Sequence, residues 1–217
     1  MGKTWSKLSE VNLHETLRGK WGDGTRPKDL YKSYISVEPE KYLDLLFSGL
    51  DSDERRIQTG SSELVSLLSE DRPELVVPFI DKFIGNFDAK APVLRWEATC
   101  TLGNLASVDS GKKIPALLDR MYPNLEHKSI VLANHTVQAL SKIAVHNPEK
   151  AEEILDKLIE KSPLFKKTTV GFIIEAVARY KDYEELHPKI KTFVEPFTKS
   201  EMKVVAKKAR KTLKILE

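Results

Sequence analysis

The chain has 217 residues, 41% of them hydrophobic and 31% charged, with a formal net charge of +3 and a single cysteine. That length allows a domain with a real core, and that balance excludes a disordered chain. One cysteine excludes an intrachain disulfide and a cysteine-cluster metal site, and it fits a reducing, cytoplasmic setting.

No apolar run reaches the roughly 18 residues of a membrane span, and Lys7, Glu10 and His14 interrupt the apolar stretch that a secretory signal needs. Met1, Gly2 and Ser6 fit the N-myristoylation pattern, which is loose enough for chance to supply it often. Gly2, Lys3 and Thr4 lack the upstream glycine and strand of a phosphate-binding loop. Residues 7–18 read as a short amphipathic helix with Leu8, Val11 and Leu17 inward, ending in a loop from Gly19 to Pro27. Pro27 suits a first helical position, and Leu30, Tyr31, Tyr34 and Ile35 give a second short helix. Residues 1–35 do not share the spacing of the rest of the chain and read as an N-terminal cap or arm. Trp5 and Trp21 either pin that arm or anchor a partner, and pinning is the preferred reading.

From Ser36 onward, helices are predicted over residues 39–50, 52–68, 73–87, 92–108, 112–122, 128–146, 148–161 and 164–180. One more ends near Phe197, and the last covers 201–217. Asp71 reads as an N-cap before Pro73, with Glu74 closing a capping box. Asn147 before Pro148 opens another helix, Asp182 and Glu185 offer a further capping box, and Ser200 caps the last. No segment alternates with period two, so the chain is expected to be all-α.

The helices repeat. Leu102, Leu105 and Ala106 are matched 38 residues later by Leu140, Ile143 and Ala144, and 38 residues earlier by Leu64, Leu67 and Leu68. Ile174, Val177 and Ala178 come next, then Leu213 and Leu216, after steps of 34 and 39. Helix pairs at such a period form an α-solenoid, in which each pair hides its apolar face against its neighbours.

Residues 93–106 carry Arg95, Ala98, Leu102, Gly103 and Leu105 in the spacing Arg-x-x-Ala-x-x-x-Leu-Gly-x-Leu. That pattern resembles the second helix of a HEAT repeat, in the armadillo-type α-solenoid family, and the resemblance extends over residues 36–217. It implies a right-handed α-α superhelix of about five helix pairs, with residues 1–35 as a cap to the same domain. It further implies that Arg95 bonds Asp88, that Gly103 permits close helix approach, and that the second helix of each pair lines a concave side. The other repeats depart from the pattern. They have Ile57, Ala133, Lys167 and Ala206 in place of Arg95, and Val65, Ser141, Glu175 and Lys214 in place of Gly103.

On that concave side the expected binding strip is Trp96, Glu97, Thr101 and Asn104, then His135, Gln138 and Lys142 one repeat on. Thr59, Glu63 and Ser66 are the equivalents one repeat earlier. The expected function is a non-enzymatic adaptor or scaffold for a protein or peptide, without a cofactor or metal. Charge suggests an alternative. Residues 39–110 hold 7 basic and 13 acidic residues, a net of −6, and residues 166–217 reverse those counts to give +6. Lys203, Lys207, Lys208, Arg210, Lys211 and Lys214 crowd the last helix and could meet nucleic-acid phosphate or an acidic partner. Part of that run also suits the helix dipole and the polar outer face of a terminal repeat.

Enzymatic relatives fit less well. Some bacterial alkylpurine DNA glycosylases are built from HEAT-like repeats, with a catalytic aspartate one turn after a concave tryptophan. Here Trp96 is followed at that position by Cys100, with no base or cation predicted beside it. The HEAT-type hydroxylase uses repeated His-Glu pairs for di-iron, whereas His14 and Glu15 form the one such pair here. His127, His135, His146 and His187 lack metal-ligand spacing.

Overall fold

The computed structural model describes residues 10–166 and 169–217, so the expectations placed on Met1, Gly2, Trp5, Leu8 and Lys167, and on the Val11 side chain, lie outside what is described. Every regular element among the described residues is helical. None of those helices is long and apolar enough to cross a membrane. Two compact units divide the chain, Met1–Thr101 and Leu102–Glu217.

In the first unit, α1 (Glu10–Arg18) and α2 (Pro27–Leu30, continued by a wide turn over Tyr31–Ile35) precede two helix pairs. A 3-10 turn at Pro39–Tyr42 leads into α3 (Leu43–Leu50), which pairs with α4 (Arg55–Asp71). The next first helix is interrupted at Pro78, giving α5 (Pro73–Val76) and α6 (Ile80–Asn86) before α7 (Pro92–Leu105), whose last four residues, from Leu102, belong to the second unit. The unit is built on α4, against which α1, α2, α3 and α5 all pack. Its inward positions Ile57, Gly60, Ser61, Leu64, Val65 and Leu68 follow helical spacing and are buried.

Gly60 admits the arm. A Cβ there would lie 2.6 Å from a methyl of Leu17 and 3.2 Å from the Trp21 ring. The Trp21 indole N–H donates to the Leu17 carbonyl at 2.8 Å, and Arg56 lies over the ring at 5.3 Å. Trp21 therefore pins the arm.

Asp71 is not the N-cap expected of it. Arg72 occupies that position without a side-chain cap, and the Asp71 carboxylate accepts a 2.6 Å hydrogen bond from the Tyr31 hydroxyl instead. Tyr31→Phe is expected to cost about 1 kcal/mol, read from urea unfolding as a lower midpoint at unchanged slope.

The second unit continues the pairing. Pro115 and Pro123 break the expected helix over 112–122 into 3-10 turns at Pro115–Leu117 and Tyr122–Glu126 around α8 (Leu118–Met121). Then come α9 (Ile130–His146) and α10 (Pro148–Lys161, with a 3-10 turn at Ser162–Leu164). The helix expected over 164–180 begins later, as α11 (Gly171–Ala176), and tightens into a 3-10 turn over Val177–Asp182. The final pair is α12 (His187–Val194), flanked by 3-10 turns Glu184–Leu186 and Glu195–Lys199, and α13 (Lys203–Ile215).

Two expected caps act differently here. The buried Asn147 side chain donates back to the Ile143 carbonyl and accepts from Lys112, so it closes α9 rather than capping α10. The start of α12 carries no side-chain cap, because the 3-10 turn Glu184–Leu186 intervenes after Asp182. Ser200 does accept the Met202 amide just ahead of α13. Val137, Leu140, Ile143, Ile154, Leu158, Ile173, Ile174, Val177 and Tyr180 form the core of this unit.

Candidate functional site

In the first unit the second helices α4 and α7 carry Glu63 and Glu97. The Glu97 carboxylate accepts a 3.1 Å hydrogen bond from the Trp96 indole N–H and another from Ser66. Burial pushes Glu97 up to about 7; those two hydrogen bonds oppose the shift, and the negative charge of Glu63 adds to it. Burial raises Glu63 as well, with Lys28 opposing. The result is two partly sheltered carboxylates on consecutive second helices beside an indole ring. Chemically, this is a seat for a cation.

Thr101 does not belong to that face. It is 0% exposed, and with Ala98 and Leu105 at spacings of three and four it points into the core. Leu94, Ala98, Thr99, Thr101 and Leu102 are all buried, so the outward stripe of α7 is narrow. Trp96 and Glu97 are half-buried members of that stripe.

In the second unit the expected residues do meet, though largely one another. Asn104 Oδ1 accepts from Lys142 Nζ at 2.5 Å across α7 and α9. His135 is half-buried, and burial lowers its pKa, so it is neutral at physiological pH. Gln138 is a strut between α9 and α11. It donates to the Phe172 carbonyl at 3.4 Å and accepts from Arg179 Nη1 at 2.8 Å, and Arg179 also reaches Ser141 Oγ at 3.3 Å. This reduces the part Gln138 can play in touching a partner.

The basic run on the last helix is also divided. Lys208 and Lys211 line a groove of about 500 Å³ together with Val145, Ala178, Arg179 and Ile215. Arg210 turns away and donates to the Thr198 carbonyl at 2.9 Å. Lys203, Lys207 and Lys214 are not part of the groove lining. The six cations therefore do not form one face. Arg179 was not among the expected site residues, although it directly follows the Ile174, Val177, Ala178 motif in register with Val145 and Ser107. Among the described residues, no group of three or more His, Cys, Asp or Glu side chains is placed to hold a metal ion.

Solved structures of similar shape decide the architecture. A designed armadillo repeat protein matches with a TM-score of 0.66 at 13% identity, covering 96% of this chain and 100% of that one. The fold is an armadillo-type repeat solenoid. A designed armadillo repeat protein in complex with the peptide (KR)4 gives a TM-score of 0.62 at 15% identity, over 95% and 91% of the two chains. A structure of computationally designed armadillo repeat proteins for modular peptide recognition gives 0.60 at 14%, again over 95% and 91%. No protein-family model matches the chain, and no curated protein matches it. At these identities the likeness concerns the fold. The second helices of the repeated pairs are α4, α7, α9, α11 and α13, and Glu63, Glu97, Lys142, Arg179 and Lys208 all sit on them or on the turn that extends α11.

Proposed function

We propose that this chain is a non-enzymatic repeat scaffold that binds a protein or peptide through the exposed stripes of its second helices. The observation that carries the reading is the sheltered carboxylate pair, Glu63 and Glu97, beside Trp96. Burying carboxylates costs stability unless a cation compensates them, and a lysine or arginine from a partner would do so. A structural neighbour's complex with the peptide (KR)4 supports the idea that this fold can present such a surface to a cationic chain. Residues 39–110, with their net charge of −6, supply a complementary field.

The (KR)4 peptide is itself a suitable probe. Fluorescence anisotropy is expected to show binding that weakens with salt. The double variant Glu63→Gln, Glu97→Gln should weaken it about tenfold or more, as removal of sheltered charges at an interface does. Equal binding by the double variant and the parent chain would show that this surface is not the one used. A nucleic-acid reading has less support: the overall charge is only +3, and the six cations of the last helix do not form one face.

A further inference from the structure

We propose that the groove between α13 and the turn after α11 binds an acidic, partly apolar peptide segment. This rests on the scaffold reading above and names the chemistry of a second binding surface. The floor of the groove is apolar, from Val145, Ala178 and Ile215, the last of which is 41% exposed despite being a large hydrophobe. Its walls carry four cations, Arg179, Lys181, Lys208 and Lys211, against two carboxylates, Glu175 and Asp182.

The carboxylates are already engaged. Glu175 accepts from Lys208 at 2.7 Å, and Asp182 lies 3.9 Å from Lys181. Lys211 makes no ion pair among the described residues, so its charge faces the groove uncompensated. Arg179 is oriented by Gln138 and Ser141 on the neighbouring helix, which fixes the plane of its guanidinium. A planar, pre-oriented guanidinium suits a two-point interaction with a carboxylate. Lys208 is steadied in turn by the Phe172 ring, 4.8 Å from its ammonium.

An apolar floor between cationic walls matches a segment that alternates acidic and apolar side chains. Duplex DNA fits the same surface poorly. It presents phosphates along an extended rod and gains nothing from a floor of aliphatic carbons. The volume also suits a few side chains rather than a groove-spanning helix.

The test uses the full chain and labelled probes: a short peptide alternating glutamate with leucine and phenylalanine, its glutamine counterpart, and a short duplex DNA. The (KR)4 peptide is measured alongside. The glutamate peptide is expected to bind in a salt-sensitive way and the glutamine peptide much less. The double variant Lys208→Gln, Lys211→Gln should bind the glutamate peptide about tenfold more weakly, and Lys207→Gln, outside the groove, as the parent does. Lys211→Gln alone should give an intermediate loss, which guards against a folding defect in the double variant. Circular dichroism checks that each variant keeps its helix content.

Equal affinity for the glutamate and glutamine peptides overturns the proposal, as does a double variant that binds like the parent. Tighter binding of duplex DNA, with displacement of the acidic peptide, overturns it in favour of nucleic acid. Self-association that is lost in the double variant would make the groove an interface between copies and overturn it too. If (KR)4 still binds while the glutamate peptide does not, only the groove assignment falls. If neither peptide binds, the scaffold reading falls with it.

Discussion

Glu97→Gln is expected to stabilise the folded chain by on the order of 2–3 kcal/mol above pH 7 and to change it little near pH 4. Burial raises the Glu97 carboxyl from about 4.5 to about 7. Between those values the folded chain keeps a proton that the unfolded chain has lost, so stability falls as pH rises through that window. Above it both states are ionised and the full penalty remains. Below it both are protonated, and glutamine closely mimics the protonated acid. The groups that face Glu97 are Ser66 and Glu63 from α4 and Trp96 from its own helix, with Lys28 acting on Glu63. None of these is a cation touching Glu97, which is why burial dominates. Urea unfolding of parent and variant at about pH 4.5, 6 and 8 tests this. A stability difference that does not grow with pH would mean that the carboxylate is well solvated. The same ionisation ties stability to the proposed function. A partner ammonium seated beside Glu97 draws the proton off, so (KR)4 should bind more tightly at about pH 8 than at about pH 6.

The parts of this fold that were legible in the sequence are those carried by helical periodicity. Repeated pairs such as Leu102 with Leu105 and Leu140 with Ile143 mark second helices that must hide one stripe against the next repeat, and the structure buries all four. First helices were less legible, because Pro78, Pro115 and Pro123 cut them into α-helical and 3-10 pieces while leaving the apolar spacing readable. Caps were legible in type and not in target. Asp71 and Asn147 are residues that end or begin helices, but each is claimed by a partner 40 or 35 positions away in sequence, Tyr31 or Lys112, which no local pattern shows.

The candidate site divides in the same way. Glu97 and Trp96 could be placed on the outward stripe by counting turns, whereas Thr101 could not. Thr101 stands four residues from both Glu97 and Leu105, so its spacing suits either face, and packing buries a side chain that has the shape of a valine. Arg179 escaped because its position depends on tertiary packing. The turn after α11 tightens, and Gln138 on α9 captures the guanidinium. The unusual ionisation of Glu97 is likewise invisible in sequence, since it arises from the surfaces that bury it.

Gly103→Ala tests how closely the helices of the second unit must approach. A Cβ at Gly103 would stand 2.6 Å from the Ala139 Cα and 2.8 Å from its Cβ. Backbone atoms of a packed helix cannot swing aside as a flexible side chain can, so α9 would have to move away from the end of α7. Overpacking of this kind costs about 1–3 kcal/mol and sometimes more, against roughly 1 kcal/mol gained in helix propensity. A net loss of about 1 kcal/mol is expected, read as a fall of roughly 2–4 °C in Tm. Ala139→Gly in the same chain should restore only part of it, because the backbone of residue 139 would still crowd the new methyl. A Gly103→Ala chain as stable as the parent would show that the two helices can part at little cost. The adjacent residue makes this more than a packing question. Asn104 accepts from Lys142 at 2.5 Å across the same pair of helices, a distance that a separation of about an ångström would carry beyond a good hydrogen bond. Gly103 therefore holds two outward side chains of the second unit in register, and its substitution should loosen the Asn104–Lys142 pair before it unfolds the solenoid.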